Sequence, residues 1–351
     1  MSPEDLVRPE ILALKAYPVP AAEGMVKLDA MENPYALPEA LRRELAGVLA
    51  RVELNRYPTP SPQKLRAAIA RRMGVPPGME ILLGNGSDEL IQILITALAR
   101  PGAALMYPSP TFVMYSMGAT FSGMKAVAVP LREDFSFDAD AFIARMQAEN
   151  PALVFIACPN NPTGVLYPEE DLVRTIKACR GLVVIDEAYH VFAGRSLMPR
   201  LPEFSNLIII RTVSKLGLAG IRLGYLVGRP EWVAQLDKVR PPYNVSVLTQ
   251  AAALFLLDRL DVLEEQAARI VSERKILGGM LKALKGVTVY PSEANFFLIR
   301  VPDADRAYEA LKRQNVLVRN LNPGLKNCLR VTVGTPDENR ILLAALREAL
   351  S

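Results

Sequence analysis

Histidine is almost absent: the 351 residues contain one, His190. A two-histidine metal site is therefore excluded, and a Ser-His-Asp relay would have to rest on that single ring. Set in "DEAYH", His190 reads as a packing or rim residue, so proton transfer must use another base. Cysteine is scarce as well. Cys158, Cys179 and Cys328 form no CxxC pair and no metal-type spacing, and an odd count without a framework fits a reducing cytosol. Apolar runs such as "AAALFLL" (251–257) are far too short to span a bilayer. The start, "MSPEDLVRPE", lacks the charged-then-apolar pattern of an export signal. No basic block or tail stands out: 41 Lys+Arg are interspersed with 37 Asp+Glu, for a net charge of +4. Charge therefore gives no support to a nucleic-acid partner. What remains is the expectation of a cytoplasmic, water-soluble protein, half apolar and able to build a large core.

What is present is alternation. Short apolar runs at 81–83, 103–106, 125–129, 152–156, 182–186, 207–213 and 223–227 read as strands. Helical periodicity fills 87–99, 110–120, 138–148 and 168–179 between them. Leu90, Ile91, Leu94, Ile95 and Leu98 give the clearest three-four spacing, with Ser87 as a candidate cap. Such alternation predicts an α/β fold, a mostly parallel sheet covered by helices on both faces. The last two strands are joined too tightly for a crossover helix, so one should run antiparallel. After "RPPYNVS" (240–246) a long helical stretch from about 247 to 285 leads to short strands at 287–290, 295–301, 316–319 and 328–333. Helices at 305–314 and 336–349 complete what reads as a smaller α+β domain. The expected division is an N-terminal arm (1–40), a large domain (41–245) and a small C-terminal domain (246–351).

Chemistry-bearing residues gather at predicted strand ends, where ligands of α/β sheets bind. "GNGSDE" (84–89) turns from a strand into a helix whose free N–H groups suit a phosphate, although an ordinary glycine-rich turn reads the same way. "CPNNPTGVLY" (158–167) offers Asn160 and Asn161 at the crest of an irregular loop. "VVIDEAYH" (183–190) ends its strand in Asp186, a carboxylate that needs a positive partner or serves as a helix cap. Then "NLIIIRTVSKLGLAGIRLGYLVG" (206–228) sets Lys215 just past an apolar strand. Alone it would be a surface lysine; buried there, its amine would lose charge and attack carbonyls. Together these pieces match the needs of pyridoxal phosphate. Ser87, Ser214 and Arg222 suit its phosphate, Asp186 its ring nitrogen, Asn161 and Tyr189 its phenolic oxygen, and Lys215 its aldehyde.

In this order "NNPTG", "DEAY" and "SK…R…G" resemble the fold-type I pyridoxal-phosphate aminotransferases of class I/II, over nearly the whole chain. Within that family, "ENPY" (32–35), "RYPTP" (56–60), "YPSPTFVMY" (107–115), "EANFFLIR" (293–300) and "PGLKNCLRVTVGT" (323–335) are similar to the histidinol-phosphate branch. The resemblance implies a seven-stranded, mostly parallel sheet sandwiched by helices, and pyridoxal 5'-phosphate bound to Lys215 as a Schiff base. It further implies Phe112 against the ring face and Gly86, Ser87, Asp88, Ser214 and Arg222 around the phosphate. Tyr57 would reach that phosphate across a homodimer interface, and Tyr17, Asn33, Arg319 and Arg330 would bind substrate. The implied partners are glutamate/2-oxoglutarate and imidazole-acetol phosphate/histidinol phosphate, exchanged by ping-pong kinetics. Aromatic amino-acid transamination, decarboxylation of a phosphorylated amino acid and a non-catalytic cofactor sensor stand as alternatives. The turn from Lys215 to Arg222 is one residue shorter than the family form, and Phe112 stands where tyrosine is frequent.

Overall fold

The computed structural model describes residues 1–16 and 20–350. Its strands, in chain order, are β1 (Val26–Lys27), β2 (Glu80–Asn85), β3 (Ala104–Ser109), β4 (Lys125–Pro130), β5 (Leu153–Ala157), β6 (Leu182–Asp186), β7 (Leu207–Thr212), β8 (Leu223–Gly228), β9 (Thr288–Val289), β10 (Phe296–Arg300), β11 (Val316–Leu317), β12 (Arg319–Asn320) and β13 (Cys328–Thr332). Seven of them form one sheet in the order β2-β8-β7-β6-β5-β3-β4. Only β8 opposes the others, antiparallel to both β2 and β7, as the tight β7–β8 connection predicts.

Strands β5, β6, β7 and β8 are buried at every position, because helices cover both faces and leave no side for polar residues. Their alternate side chains feed two cores. Leu153 and Phe155 join Ile91, Leu94 and Tyr115 on one face, while Val154 and Ile156 join Phe142, Leu172 and Leu201 on the other. The one charge inside β7, Arg211, forms a buried ion pair with Glu187 (2.8 Å) and donates to the Met73 carbonyl (3.0 Å). That pair fixes the residue that follows Asp186.

Helices Gly86–Leu98, Met114–Ser122, Ala139–Glu149 and Glu169–Ala178 fill the predicted gaps. The second begins only at Met114, since Pro110 to Phe112 form a loop over the sheet edge. The long stretch expected over 247–285 is two helices, Val247–Leu257 and Leu260–Lys282. Arg259 leaves helical geometry between them (φ −122°, ψ 33°), and its guanidinium packs 3.8 Å over Phe255.

A four-stranded sheet, β12-β13-β10-β9, and helices Ala304–Arg313 and Pro336–Ala349 make up the C-terminal part. The last helix starts with a full capping box, Thr335 and Glu338, with Pro336 in its first turn. From the N-terminal segment β1 pairs in parallel with β11. The backbone beyond it is held at four points: the Asp29, Ala30 and Met31 carbonyls accept from Arg330, Lys215 and Asn295, and the Met31 amide donates to Thr332.

Register decides where the functional residues come together. Ala157 pairs with Asp186, Asp186 with Ile210, Thr212 with Gly224, and Asn85 with Leu223. The carboxyl ends of β2, β5, β6 and β7 and the amino end of β8 therefore share one edge. The order in which strands are added reverses there, between the parallel strands β3 and β5, which is where open α/β sheets bind ligands.

Candidate active site

A cleft with about 580 Å³ of empty space opens at that edge. Phe112, Asn161, Asp186, Tyr189 and Lys215 line it, with Ser87, Asp88, Ser214 and Arg222 at one end.

Lys215 stands on a π turn, Ser214–Leu218, that Gly217 makes possible at φ 124°. A Cβ on Gly217 would lie 2.8 Å from the Asn33 amide nitrogen, so the turn also needs glycine for space. Asn33 Nδ2 donates to the Leu216 carbonyl (3.2 Å) and to Gln266 (2.9 Å), bracing the turn from behind. The Lys215 amine donates to the Ala30 carbonyl (3.0 Å) and lies 5.8 Å from the Tyr189 ring centre. Although the residue keeps some exposed surface, its amine is surrounded by protein. Burial first, then the nearby Arg330 charge, lowers its pKa to about 8.

Asp186 is 4% exposed, and among the described residues no cation is one of its hydrogen-bond partners. Tyr115 donates to one carboxylate oxygen (2.8 Å) and the Ala188 amide to the other (3.1 Å). Burial nevertheless raises its pKa to about 6. An anion so placed is costly unless a cationic ligand completes it.

The other end of the cleft is built for an anion. The helix Gly86–Leu98 points its free N–H groups there. Gly86 sits at φ 78°, and a Cβ on it would come within 2.5 Å of Arg222 Nη2. Gly224 on β8 lacks a Cβ that would strike the Gly86 carbonyl carbon and the Ser87 nitrogen at 2.6 Å. Arg222 takes a left-handed conformation (φ 51°), 3.4 Å from the Asp88 carboxylate. The short turn thus still delivers Arg222 to the cleft. Thr212, hidden to sequence reading inside an apolar strand, accepts from the Ser214 amide (3.1 Å) and fixes that serine.

A family model described as aminotransferase class I and II matches residues 23–346. The chain belongs to the class I and II aminotransferases. A Burkholderia pseudomallei (strain 1710b) protein named histidinol-phosphate aminotransferase 2 is 56% identical to this aminotransferase over 353 residues, 99% of each chain. A Chromobacterium violaceum histidinol-phosphate aminotransferase is 52% identical and covers 98% of each. Among solved structures, the histidinol-phosphate aminotransferase from Sinorhizobium meliloti in complex with pyridoxal-5'-phosphate matches with a TM-score of 0.87. It is 27% identical and covers 98% of this chain and 97% of that one.

The family depends on pyridoxal phosphate, and the residues of this aminotransferase fit that group. The fit rests on a buried carboxylate without its own cation, a glycine cradle at a helix start, and a lysine with a lowered pKa. Asn161 Oδ1 accepts from Arg330 Nη1 (2.6 Å), which leaves the Asn161 NH₂ to donate elsewhere. Tyr189 donates to Met31 Sδ (3.3 Å). Not every expected residue lies in the cleft. Asn33 is behind it, Arg319 lies across the β12–β13 ladder from Arg330, and Tyr57 is 81% exposed, stacked on Tyr243. Tyr17 lies outside the described residues. Conversely Met31, Ala157, Ala188 and Thr212 line the cleft without having been anticipated. For Met31 nothing in its local sequence gives the signal.

Proposed function

We propose that this aminotransferase moves an amino group between glutamate/2-oxoglutarate and imidazole-acetol phosphate/histidinol phosphate, within histidine biosynthesis. One observation carries the reading: relatives named histidinol-phosphate aminotransferase match nearly the full chain at 50% to 56% identity. Bound in the cleft, pyridoxal phosphate supplies a reactive aldehyde and an electron-withdrawing ring.

The chain's own residues divide the remaining work. Lys215 would hold the group at its aldehyde, and its amine, when free, would move a proton as base and then acid; a pKa of about 8 suits both roles near neutrality. Asp186 would hold a proton at the ring nitrogen. Asn161 and Tyr189 would donate to the ring oxygen, and Phe112 would pack against the ring. Gly86, Ser87, Asp88, Ser214 and Arg222 would hold the phosphate. Arg330 takes the substrate anion, a carboxylate in one half-reaction and a phosphate ester in the other.

A homodimer completes the reading. Leu54, Tyr57, Tyr243 and Leu248 are exposed apolar residues, and a second copy covering them would receive Tyr57 at its own phosphate site. The division into arm (1–40), large domain (41–245) and small domain (246–351) is in keeping with this reading: Met31 of the arm lines the cleft with residues of the large domain, and Arg330 of the small domain reaches Asn161 in that lining. Three buried free thiols are in keeping with a cytoplasmic location, and no helix among the described residues is long and apolar enough to cross a membrane.

The test supplies the purified protein with pyridoxal phosphate, glutamate and imidazole-acetol phosphate. Histidinol phosphate and 2-oxoglutarate should form in equal amounts, with parallel double-reciprocal lines. A preference for phenylpyruvate, or release of carbon dioxide, would overturn the substrate assignment; cofactor binding without turnover would overturn the enzyme.

A further inference from the structure

The Asp186 carboxylate owes its placement to a tyrosine outside the residues assigned so far. Tyr115 is wholly buried on the helix Met114–Ser122, three residues after Phe112. Its ring stacks on Phe155 (4.7 Å between centres, 3° between planes) and meets Phe112 edge-on (5.8 Å, 86°). Tyr107 tilts against it at 6.5 Å. Three aromatic neighbours thus fix the ring, and its hydroxyl points at Asp186 Oδ2, 2.8 Å away. We propose that Tyr115 is a positioning residue that fixes the Asp186 carboxylate and keeps it ionised toward the cofactor's ring nitrogen. This rests on the cofactor reading above and adds to it.

The balance around Asp186 gives the hydroxyl its importance. Asp88 from the helix Gly86–Leu98 and Glu187, next in the chain and paired with Arg211, both favour the protonated form, as does burial. Among the described residues, the Tyr115 hydroxyl and the Ala188 amide oppose them. Burial and the adjoining carboxylate hold Tyr115 itself protonated, so it is always a donor, never a competing anion. Tyr189 also faces this group, but its hydroxyl is directed to Met31. A hydrogen bond to an ionised acceptor is about twice as strong as one to a neutral acceptor, so Tyr115 favours the carboxylate.

Tyr115→Phe removes one oxygen and keeps every ring contact. In the holoenzyme the affinity for pyridoxal phosphate should fall about tenfold, the loss of one charge-assisted hydrogen bond. The acid limb of kcat/KM, and the pH midpoint of the bound cofactor's visible absorbance without substrate, should both move up by about one unit. Phe155→Leu, which loosens the packing but keeps the hydroxyl, should lower the melting temperature and leave that midpoint in place. Superposable absorbance titrations of Tyr115→Phe and the wild type would overturn the proposal, whatever their activities or melting temperatures. A wild type that binds no pyridoxal phosphate would overturn it together with the functional reading. A wild type that binds the cofactor but aminates neither substrate removes only the latter, and the absorbance titration still decides.

Discussion

Arg330 Nη1 lies 2.6 Å from Asn161 Oδ1, joining β13 of the C-terminal sheet to the loop after β5. One guanidinium therefore orients the amide proposed to meet the cofactor and sets beside it the charge proposed for the substrate. Its Nη2 is held by the Asp29 carbonyl (2.8 Å), and the residue is 7% exposed. A lysine could keep at most one of these two bonds, because its single ammonium cannot reach in both directions.

Arg330→Lys should accordingly lower kcat/KM for glutamate by about a hundredfold, the order expected when a buried charged partner is removed. Most of the loss should lie in KM if the residue chiefly binds substrate. Initial rates over a glutamate series check this; an unchanged KM and kcat would remove Arg330 from the site.

The state of the Lys215 amine gives a prediction that needs no substrate. A pKa lowered to about 8 leaves a growing neutral fraction as pH approaches that value from below. Stopped-flow capture of pyridoxal phosphate by cofactor-free protein should accelerate about tenfold per pH unit below it, then level off. Because the Arg330 charge helps depress the amine, Arg330→Gln should move the midpoint upward. Lys215→Ala should form no covalent complex and show no turnover.

Much of this was legible in the sequence because the strands announce themselves as apolar runs and the chemistry begins where each run stops. Asp186 and Lys215 stand at two such stops, and the fold brings both to the lining of one cleft. Asn33, expected at the substrate pocket, donates to the Leu216 carbonyl and to Gln266, and Gln266 sits on a helix whose start is set by the break at Arg259. Tyr115 reads as a core aromatic on a helix face, and only the fold turns its hydroxyl toward Asp186. The shortened turn before Arg222 could be judged only in three dimensions, where Arg222 still lines the cleft.

Gly86→Ala tests the phosphate end separately from the lysine. A Cβ at φ 78° costs about 1–2 kcal/mol in backbone strain, and here it also displaces the Arg222 guanidinium 2.5 Å away. Affinity for pyridoxal phosphate should fall about tenfold or more, from these two effects together. Pyridoxal, which has no phosphate, should bind nearly as it does to the wild type. Equal losses for both ligands in equilibrium dialysis would place Arg222 and Gly86 away from the phosphate.

His190, the only histidine, contributes a pH-dependent stability of its own. Its Nδ1 lies 2.9 Å from the Glu187 carbonyl; burial first, then the Arg211 charge, lowers its pKa from 6.5 to about 3. In this window the unfolded chain binds a proton that the folded protein refuses. Stability is therefore intact above 6.5 and falls as pH drops toward 3. The slope from this one group is about 1.4 kcal/mol per pH unit. His190→Gln keeps a donor for the carbonyl and removes the titration, while Asp186 and the other carboxylates titrate alike in both proteins. Urea unfolding should show wild type losing about 2 kcal/mol relative to the variant between about pH 6.5 and 5. A difference that stays constant with pH would mean the imidazole takes its proton inside the fold, and that His190 has access to water or an anion there.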